Sequence, residues 1–165
     1  MKRRTLTIGS LVRFFRQDCG GALAEMAIIF PLLAILLAAV SEFGRYFQTY
    51  TTLSKATRTA ARHLSNHPYN ATEITKATNL VVCGKLVCAG GDELVPGMTP
   101  AKVCIESTGS PKIETVTVRI PHIAAGCGAP HIYQPIFDIG GLLHNNTFNL
   151  AIPVNPSTTM YYVIE

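Results

Sequence analysis

An apolar run that reaches Val40 opens with the sequence CGGALAEM at residues 19–26. After this opening the run contains no charged residue. A helix from Gly21 to Val40 would be about 30 Å long, which is the thickness of the hydrocarbon core of a bilayer. Membrane helices tolerate a proline, so Pro31 does not argue against a span. The sequence therefore predicts a transmembrane helix over residues 21–42.

The net positive charge of the chain lies ahead of this run. The first twenty residues hold five basic residues and one acidic residue, whereas residues 21–165 hold nine of each. Because positive charge flanks the cytoplasmic end of a membrane helix, we expect residues 1–20 to stay in the cytoplasm and the rest to be exported. The neutral remainder shows no basic patch, which argues against a nucleic-acid partner.

A helical period of apolar and small residues continues beyond the membrane segment. It predicts an amphipathic helix over residues 43–67, ending close to Pro68, because the residue before a proline avoids the helical conformation. The opposite face carries Lys55, Arg58 and Arg62. The apolar and small residues that recur at steps of three and four are Phe43, Phe47, Tyr50, Leu53, Thr57, Ala60 or Ala61, and Leu64.

The junction between the two helical segments carries residue types that are typical of a membrane interface, where aromatic rings lie at headgroup depth. We assign four residues to this interface: Glu42, Phe43, Arg45 and Tyr46. Glu42 and Arg45 are three residues apart, so they can form an ion pair on a helix.

Residues 68–165 combine helix and strand signals and are expected to form a head domain. Asn70 followed by Glu73 has a capping-box pattern, which predicts a second helix over residues 71–82, closed by Gly84. Strands are predicted at residues 101–107, 113–120, 147–152 and 158–164. The first two are expected to pair as a hairpin. These elements predict an α+β fold in which a long N-terminal helix packs on a small antiparallel β-sheet.

Four cysteines lie beyond the membrane segment: Cys83, Cys88, Cys104 and Cys127. An even number of cysteines in an exported domain favours disulfides, because the compartment is oxidising. Three pairings are possible, and we favour Cys83–Cys88 with Cys104–Cys127. The alternative is a zinc site, but the spacing fits the usual paired zinc-binding motifs poorly. We therefore predict no metal and no cofactor.

No catalytic constellation is visible in the sequence. His63 and His67 are four residues apart, a spacing that metal sites use, yet the zinc-protease motif is absent. We interpret both as polar residues at the fraying end of a helix. The carboxylates of the exported part are scattered singly, and neither a nucleophile elbow nor a phosphate-binding loop occurs. The chain is not expected to be an enzyme.

A family resemblance rests on the opening stretch. Gly20-Gly21-Ala22-Leu23-Ala24-Glu25, the apolar run and Ser41-Glu42-Phe43-Gly44-Arg45 together resemble the TadE-like pseudopilins of the Flp/Tad branch of type IV pilus systems. The likeness covers about residues 16–62. The segments Tyr133-x-Pro135-Ile136-Phe137 and Thr158-Thr159-Met160 are also similar to the C-terminal half of that family. Members usually have Phe where this chain has Met26.

The resemblance implies a pilin-like fold and the role of a minor pseudopilin, needed to assemble or prime a type IVb pilus for adherence or secretion. It implies that a prepilin peptidase cuts between Gly20 and Gly21, so that Glu25 becomes the fifth residue of the mature chain. In pilins this carboxylate pairs with the N-terminal amine of a neighbouring subunit. The alternative is that Glu25 lies solvated at headgroup depth.

The implied partners are other pilins and pseudopilins, the prepilin peptidase, the assembly platform of the inner membrane and the bilayer itself. The implied location is the bacterial inner membrane, crossed once, with a cytoplasmic N-terminus and a periplasmic head that can enter the extracellular pilus.

Two other functions fit the same sequence. In the first, the N-terminus is an ordinary signal peptide, cut after the small-x-small sequence Ala39-Val40-Ser41, and the protein is secreted. In the second, the anchor is never cleaved and the head is a periplasmic ligand-binding module. The mass of the mature N-terminus distinguishes all three. A start at Gly21 indicates a pseudopilin, a start at Glu42 a secreted protein, and an intact leader a simple anchor.

Overall fold

The computed structural model describes residues 19–122, 127–137 and 151–164, with side chains from Gly21 onward. Its contacts form two compact units, which meet in the sequence between Ser41 and Glu42. The second unit, residues 42–165, is called the head unit below. The prediction of a fourth strand at residues 147–152 falls largely outside the described residues.

Helix α1, Cys19–Ser65, contains 47 residues and passes through Pro31 without ending. Every described side chain from residue 21 to residue 37 is exposed, and this part is long and apolar enough to cross a membrane. The helix ends as predicted, just before Asn66-His67-Pro68. The predicted transmembrane and amphipathic segments are therefore parts of one helix.

Helix α2, Ala71–Cys83, begins and ends at the predicted capping residues. The Asn70 Oδ1 accepts a hydrogen bond from the backbone N–H of Glu73 at 2.9 Å. At the other end Gly84 adopts a left-handed conformation with φ of 71° and donates its N–H to the Leu80 carbonyl at 3.1 Å. These two caps satisfy backbone groups that a helix leaves unpaired at its ends.

The sheet has three antiparallel strands in the order β1–β2–β3: β1 Cys104–Thr108, β2 Thr115–Arg119 and β3 Ser157–Tyr161. In β2 the alternation predicted from the sequence is confirmed, because Val116 and Val118 are fully buried.

The predicted start of the first strand at residue 101 is wrong. A short 3₁₀ turn, Pro100–Lys102, occupies that position, since Pro100 cannot donate a backbone hydrogen bond.

The core of the head unit lies between α1, α2 and the inner face of the sheet. Its fully buried members include Leu53 and Leu64 of α1, Val81 of α2 and Met98 from the loop between α2 and β1. The α+β prediction is thus confirmed, with the C-terminal half of α1 packed on a small antiparallel sheet.

The apolar face of α1 enters the core of the head unit only in its C-terminal part. Phe43 is 70%, Phe47 58% and Tyr50 39% exposed, whereas Glu42 on the neighbouring face is buried. From Leu53 onward the residues of this face are buried. An apolar period marks a face that avoids water, but it does not say whether the protein core, lipid or another protein covers that face.

Two disulfides join the four cysteines of the head unit in the favoured pairing. The Cys83–Cys88 S–S distance is 2.01 Å and the Cys104–Cys127 distance is 1.98 Å. The first follows the C-terminal end of α2, and the second ties the start of β1 to the loop after β2.

Candidate functional site

Glu42, the first residue of the head unit, is the centre of a buried polar site. Its side chain is only 4% exposed although the residue lies two positions after the apolar run. One carboxylate oxygen accepts a hydrogen bond from the Tyr133 hydroxyl at 2.7 Å. The other accepts the backbone N–H groups of Ile136 and Phe137 at 3.0 and 3.1 Å. An ionised carboxylate only accepts hydrogen bonds, so the three donors match its chemistry.

Tyr133 fixes the loop that supplies these donors. Its ring packs edge-on against Tyr46 of α1, with ring centroids 5.7 Å apart and an interplanar angle of 88°. Its backbone N–H donates to the Ile152 carbonyl at 3.0 Å, which ties the loop to the segment before β3. Burial, followed by the hydrogen bond to Glu42, raises the pKa of Tyr133, so the hydroxyl remains a donor at physiological pH.

The four residues assigned to the membrane interface have different environments. Phe43 and Arg45 are exposed, Tyr46 is half-buried and Glu42 is buried. Among the described residues, the bonds of the Glu42 carboxylate go to Tyr133, Ile136 and Phe137 and not to an ion pair with Arg45. The helical spacing did not reveal this contact, because its partners are more than ninety residues away.

A cavity of about 460 Å³ lies beside the same loop. Arg45 and Lys102 contribute positive charge to its wall, and Gln48 and Gln134 contribute amides. His131 also lines it, and its Nδ1 is buried without a hydrogen-bond partner among the described residues. Burial, then the charge of Lys102, lowers the pKa of His131, so the imidazole is neutral at physiological pH. The wall is therefore suited to an anionic group.

A second polar cluster connects α1 to α2. The Glu73 carboxylate is 2.7 Å from His63 Nε2 and 2.8 Å from Lys76 Nζ. The interpretation of His63 as a polar residue at a fraying helix end is therefore wrong, because the chain folds back and places α2 against it. His67 stacks on His63 with ring centroids 4.0 Å apart.

The same cluster contains residue types that can bind a metal ion. One ligand atom each from His63, His67 and Glu73 lies within 4.8 Å of the others. Both carboxylate oxygens of Glu73 are already engaged, one by His63 and one by Lys76. An ion-pair network accounts for the arrangement, and its role is to attach α2 to the end of α1.

The Glu73 cluster predicts an acid-sensitive attachment of α2. Hydrogen bonds from Lys76 and then from His63 lower the pKa of Glu73. The carboxylate therefore contributes stability above its ordinary pKa, and this contribution is lost as the pH falls through the lowered folded value. We expect Glu73→Gln to destabilise the protein at neutral pH, with the difference from wild type vanishing in acid. Denaturant unfolding across this pH range measures it.

Glu114→Gln is the matched control, since Glu114 is exposed. It should change stability little at either end of the pH range. A difference between Glu73→Gln and wild type that stays constant from neutral to acidic pH would contradict the linkage.

The predicted processing and assembly residues lie near the start of α1. Gly20 and Gly21 are helical, and a Cβ built on Gly21 meets no atom within 4 Å. Glu25 is exposed one turn later. Gly21 and Glu25 therefore lie on an exposed surface of the helix.

Comparison with known families gives a match that coincides with this helix. Residues 20–62 match the family model described as TadE-like protein. The chain carries a TadE-like helix. The match begins at Gly20 and ends three residues before α1 does, so it confirms the resemblance inferred from the opening stretch. No curated protein and no solved structure gives a significant match.

The match covers about a quarter of the chain, so the likeness it shows is that of the helix and not of residues 63–165. Among the described residues, one helix is long and apolar enough to cross a membrane, which indicates membrane anchoring. Within the head unit, the Glu42 site joins the matched helix to the loop that carries Tyr133, Ile136 and Phe137. The segment Tyr133-x-Pro135-Ile136-Phe137, quoted above only for its family resemblance, supplies all three donors.

Proposed function

We propose that the protein is a minor pseudopilin that assembles or primes a Flp/Tad-type pilus after processing by a prepilin peptidase. The observation that carries this proposal is the TadE-like match over a continuous helix whose first part is exposed and apolar. A helix of this kind can be held by the bilayer before assembly and by neighbouring helices afterwards. The pilus in turn would serve adherence or secretion.

Processing is proposed between Gly20 and Gly21. Neither residue has a side chain that could obstruct a peptidase, and the net positive charge of the chain lies in the part that would be removed. The mature subunit would begin at Gly21 and carry no net charge, since residues 21–165 hold nine basic and nine acidic residues.

Glu25 is the proposed assembly contact. A carboxylate near the lipid core costs a few kcal/mol unless it is paired, and the amine of a neighbouring mature chain is a suitable partner. Its exposure in α1 supports this role, because the side chain is available for a contact between subunits. Pairing of this kind would favour subunits that are in register.

The proposed orientation places residues 1–20 in the cytoplasm and the head unit in the periplasm. The charge asymmetry supports it through the positive-inside rule. The two disulfides support it independently, since disulfides persist in an oxidising compartment such as the periplasm.

The mass of the mature N-terminus tests the processing step. We expect intact-protein mass spectrometry of the membrane-expressed chain to show a species that begins at Gly21 when the peptidase is present. Gly20→Leu should abolish that species, because a branched side chain then occupies the cleavage site.

Gly44→Leu is the matched control, since a Cβ at Gly44 meets no atom within 4 Å, and it should be processed normally. An intact leader in the presence of active peptidase would contradict the proposal. A start at Glu42 would also contradict it and would favour a secreted protein.

The second candidate function is an uncleaved, membrane-anchored binding protein. The cavity beside Tyr133 favours it, because Arg45 and Lys102 on its wall suit an anionic ligand. An intact leader on the mature protein would support this alternative.

A further inference from the structure

Two neighbouring apolar side chains are exposed on the loop that Glu42 holds. Ile136 is 60% and Phe137 is 48% exposed, although each donates its backbone N–H to the buried carboxylate. A loop held by hydrogen bonds to a buried charge is fixed in place. Its apolar side chains therefore face outward from a definite position.

That position follows from the place of Glu42 in the chain. Glu42 comes two residues after Val40, the last residue of the apolar run, and α1 is continuous through both. Two residues of helix correspond to about 3 Å along the axis. The carboxylate is therefore close to the level at which a helix spanning the bilayer up to Val40 would leave the hydrocarbon.

Hydrogen bonds of 3.0 and 3.1 Å place the Ile136 and Phe137 amides at nearly the same level as the carboxylate. Phe43, beside Glu42 on α1, is 70% exposed, and Arg45 follows it. Aromatic side chains and long cations are the residue types that occupy the headgroup region of a bilayer. Helix and loop thus present interfacial residues from two parts of the chain.

We propose that Ile136 and Phe137 form a second membrane contact, inserted into the periplasmic interface of the bilayer that α1 crosses. The lipid surface is the occupant of this apolar patch because Glu42, which holds the patch, follows the end of the apolar run by only two residues of helix. Glu42 acts as the positioning residue: its buried carboxylate holds the loop at interfacial depth. The head unit then has two attachments to the membrane, α1 and this loop.

The membrane contact rests on the membrane span of the proposed function but not on processing or pilus assembly. It can therefore be tested with the intact chain in lipid vesicles. The chain contains no tryptophan, so one introduced Trp is a unique fluorescent reporter. Phe137→Trp preserves an aromatic side chain at the proposed contact.

The control is Tyr161→Trp at the end of β3, where the side chain is 80% exposed. This strand leads to Val163, whose N–H donates to the Ser65 carbonyl at the C-terminal end of α1. Ser65 is 23 residues beyond Glu42 in the same helix, which is about 35 Å. A tryptophan at position 161 should therefore remain in water.

Each variant is reconstituted into phosphatidylcholine vesicles with and without bromine on the acyl chains. Insertion to roughly 5–10 Å at the headgroup boundary would bring Phe137→Trp near the quencher, and we expect about a twofold loss of its emission. Its spectrum should also shift to the blue, while the Tyr161→Trp variant shows neither change. Adding Glu42→Ala to Phe137→Trp should weaken the quenching, because the loop loses its tether.

Vesicle flotation establishes first that α1 has inserted, so failure of the anchor is distinguished from failure of the loop contact. In floated vesicles, a Phe137→Trp variant with a water-exposed spectrum and no quenching overturns the inference. A blue-shifted spectrum without quenching also overturns it, since a second protein chain would then cover the patch instead of lipid.

Discussion

Replacing Glu42 with alanine is expected to lower the free energy of unfolding of the head unit by about 2–3 kcal/mol. The substitution removes the acceptor for the Tyr133 hydroxyl and for the Ile136 and Phe137 amides. A buried donor that loses its partner costs about 1–3 kcal/mol, and exposure of the loop to water reduces the total. Urea unfolding of the full chain in detergent measures the change.

Two further variants separate the parts of the Glu42 contact. Glu42→Gln retains one acceptor oxygen but loses the charge, so it should be less damaging than Glu42→Ala. Tyr133→Phe removes only the hydroxyl and should cost about 1 kcal/mol. Hydrogen exchange of the Ile136 and Phe137 amides should accelerate in both Glu42 variants, which locates the effect in the loop.

Glu106→Ala is the matched control for removal of a carboxylate. Glu106 forms an ion pair of 2.6 Å with Arg119 on the exposed surface of the sheet. Such pairs contribute at most about 1 kcal/mol. If Glu42→Ala were no more destabilising than Glu106→Ala, the Glu42 contact would not hold the loop in solution.

Glu25→Ala is expected to leave cleavage after Gly20 largely intact while strongly impairing pilus assembly. The reason is the proposed pairing of this carboxylate with the amine of a neighbouring subunit. A charged group in the membrane costs about 3 kcal/mol when it has no partner, which corresponds to roughly 100-fold in an equilibrium constant. Subunits without the carboxylate lose this preference for an in-register neighbour.

The measurement combines the mass of the mature N-terminus with the amount of protein in sheared pili. Met26→Leu is the control, because Met26 is the exposed neighbour of Glu25 and the change retains an apolar side chain. It should be processed and assembled normally. Glu25→Gln separates charge from size and should resemble Glu25→Ala. Normal piliation of Glu25→Ala would refute the pairing role.

Local patterns in the sequence were sufficient for most of the secondary structure. The apolar run and the helical period predicted α1, and Pro68 located its end. Asn70 and Gly84 located α2, because capping depends on residues within one turn of a helix end. The alternation around Val116 and Val118 predicted β2, since a strand with one buried face has a period of two.

The burial of α1 side chains was harder to predict. Phe43 and Phe47 share an apolar period with Leu53, yet only Leu53 is in the core. A membrane protein has more than one apolar environment, so hydrophobicity alone cannot assign a residue to the core. The environment of the polar residue His63 was equally hard to predict. Its partner Glu73 becomes a neighbour only because the chain turns between α1 and α2.

Local sequence patterns predicted the long helix, the direction of its charge asymmetry and the α+β class of the head. These depend on composition and on residues within a few positions of one another. The burial of Glu42 and its hydrogen bonds to Tyr133, Ile136 and Phe137 became visible only in the folded chain. This contact joins residues more than ninety positions apart, and a carboxylate acquires its role from the donors that folding brings to it.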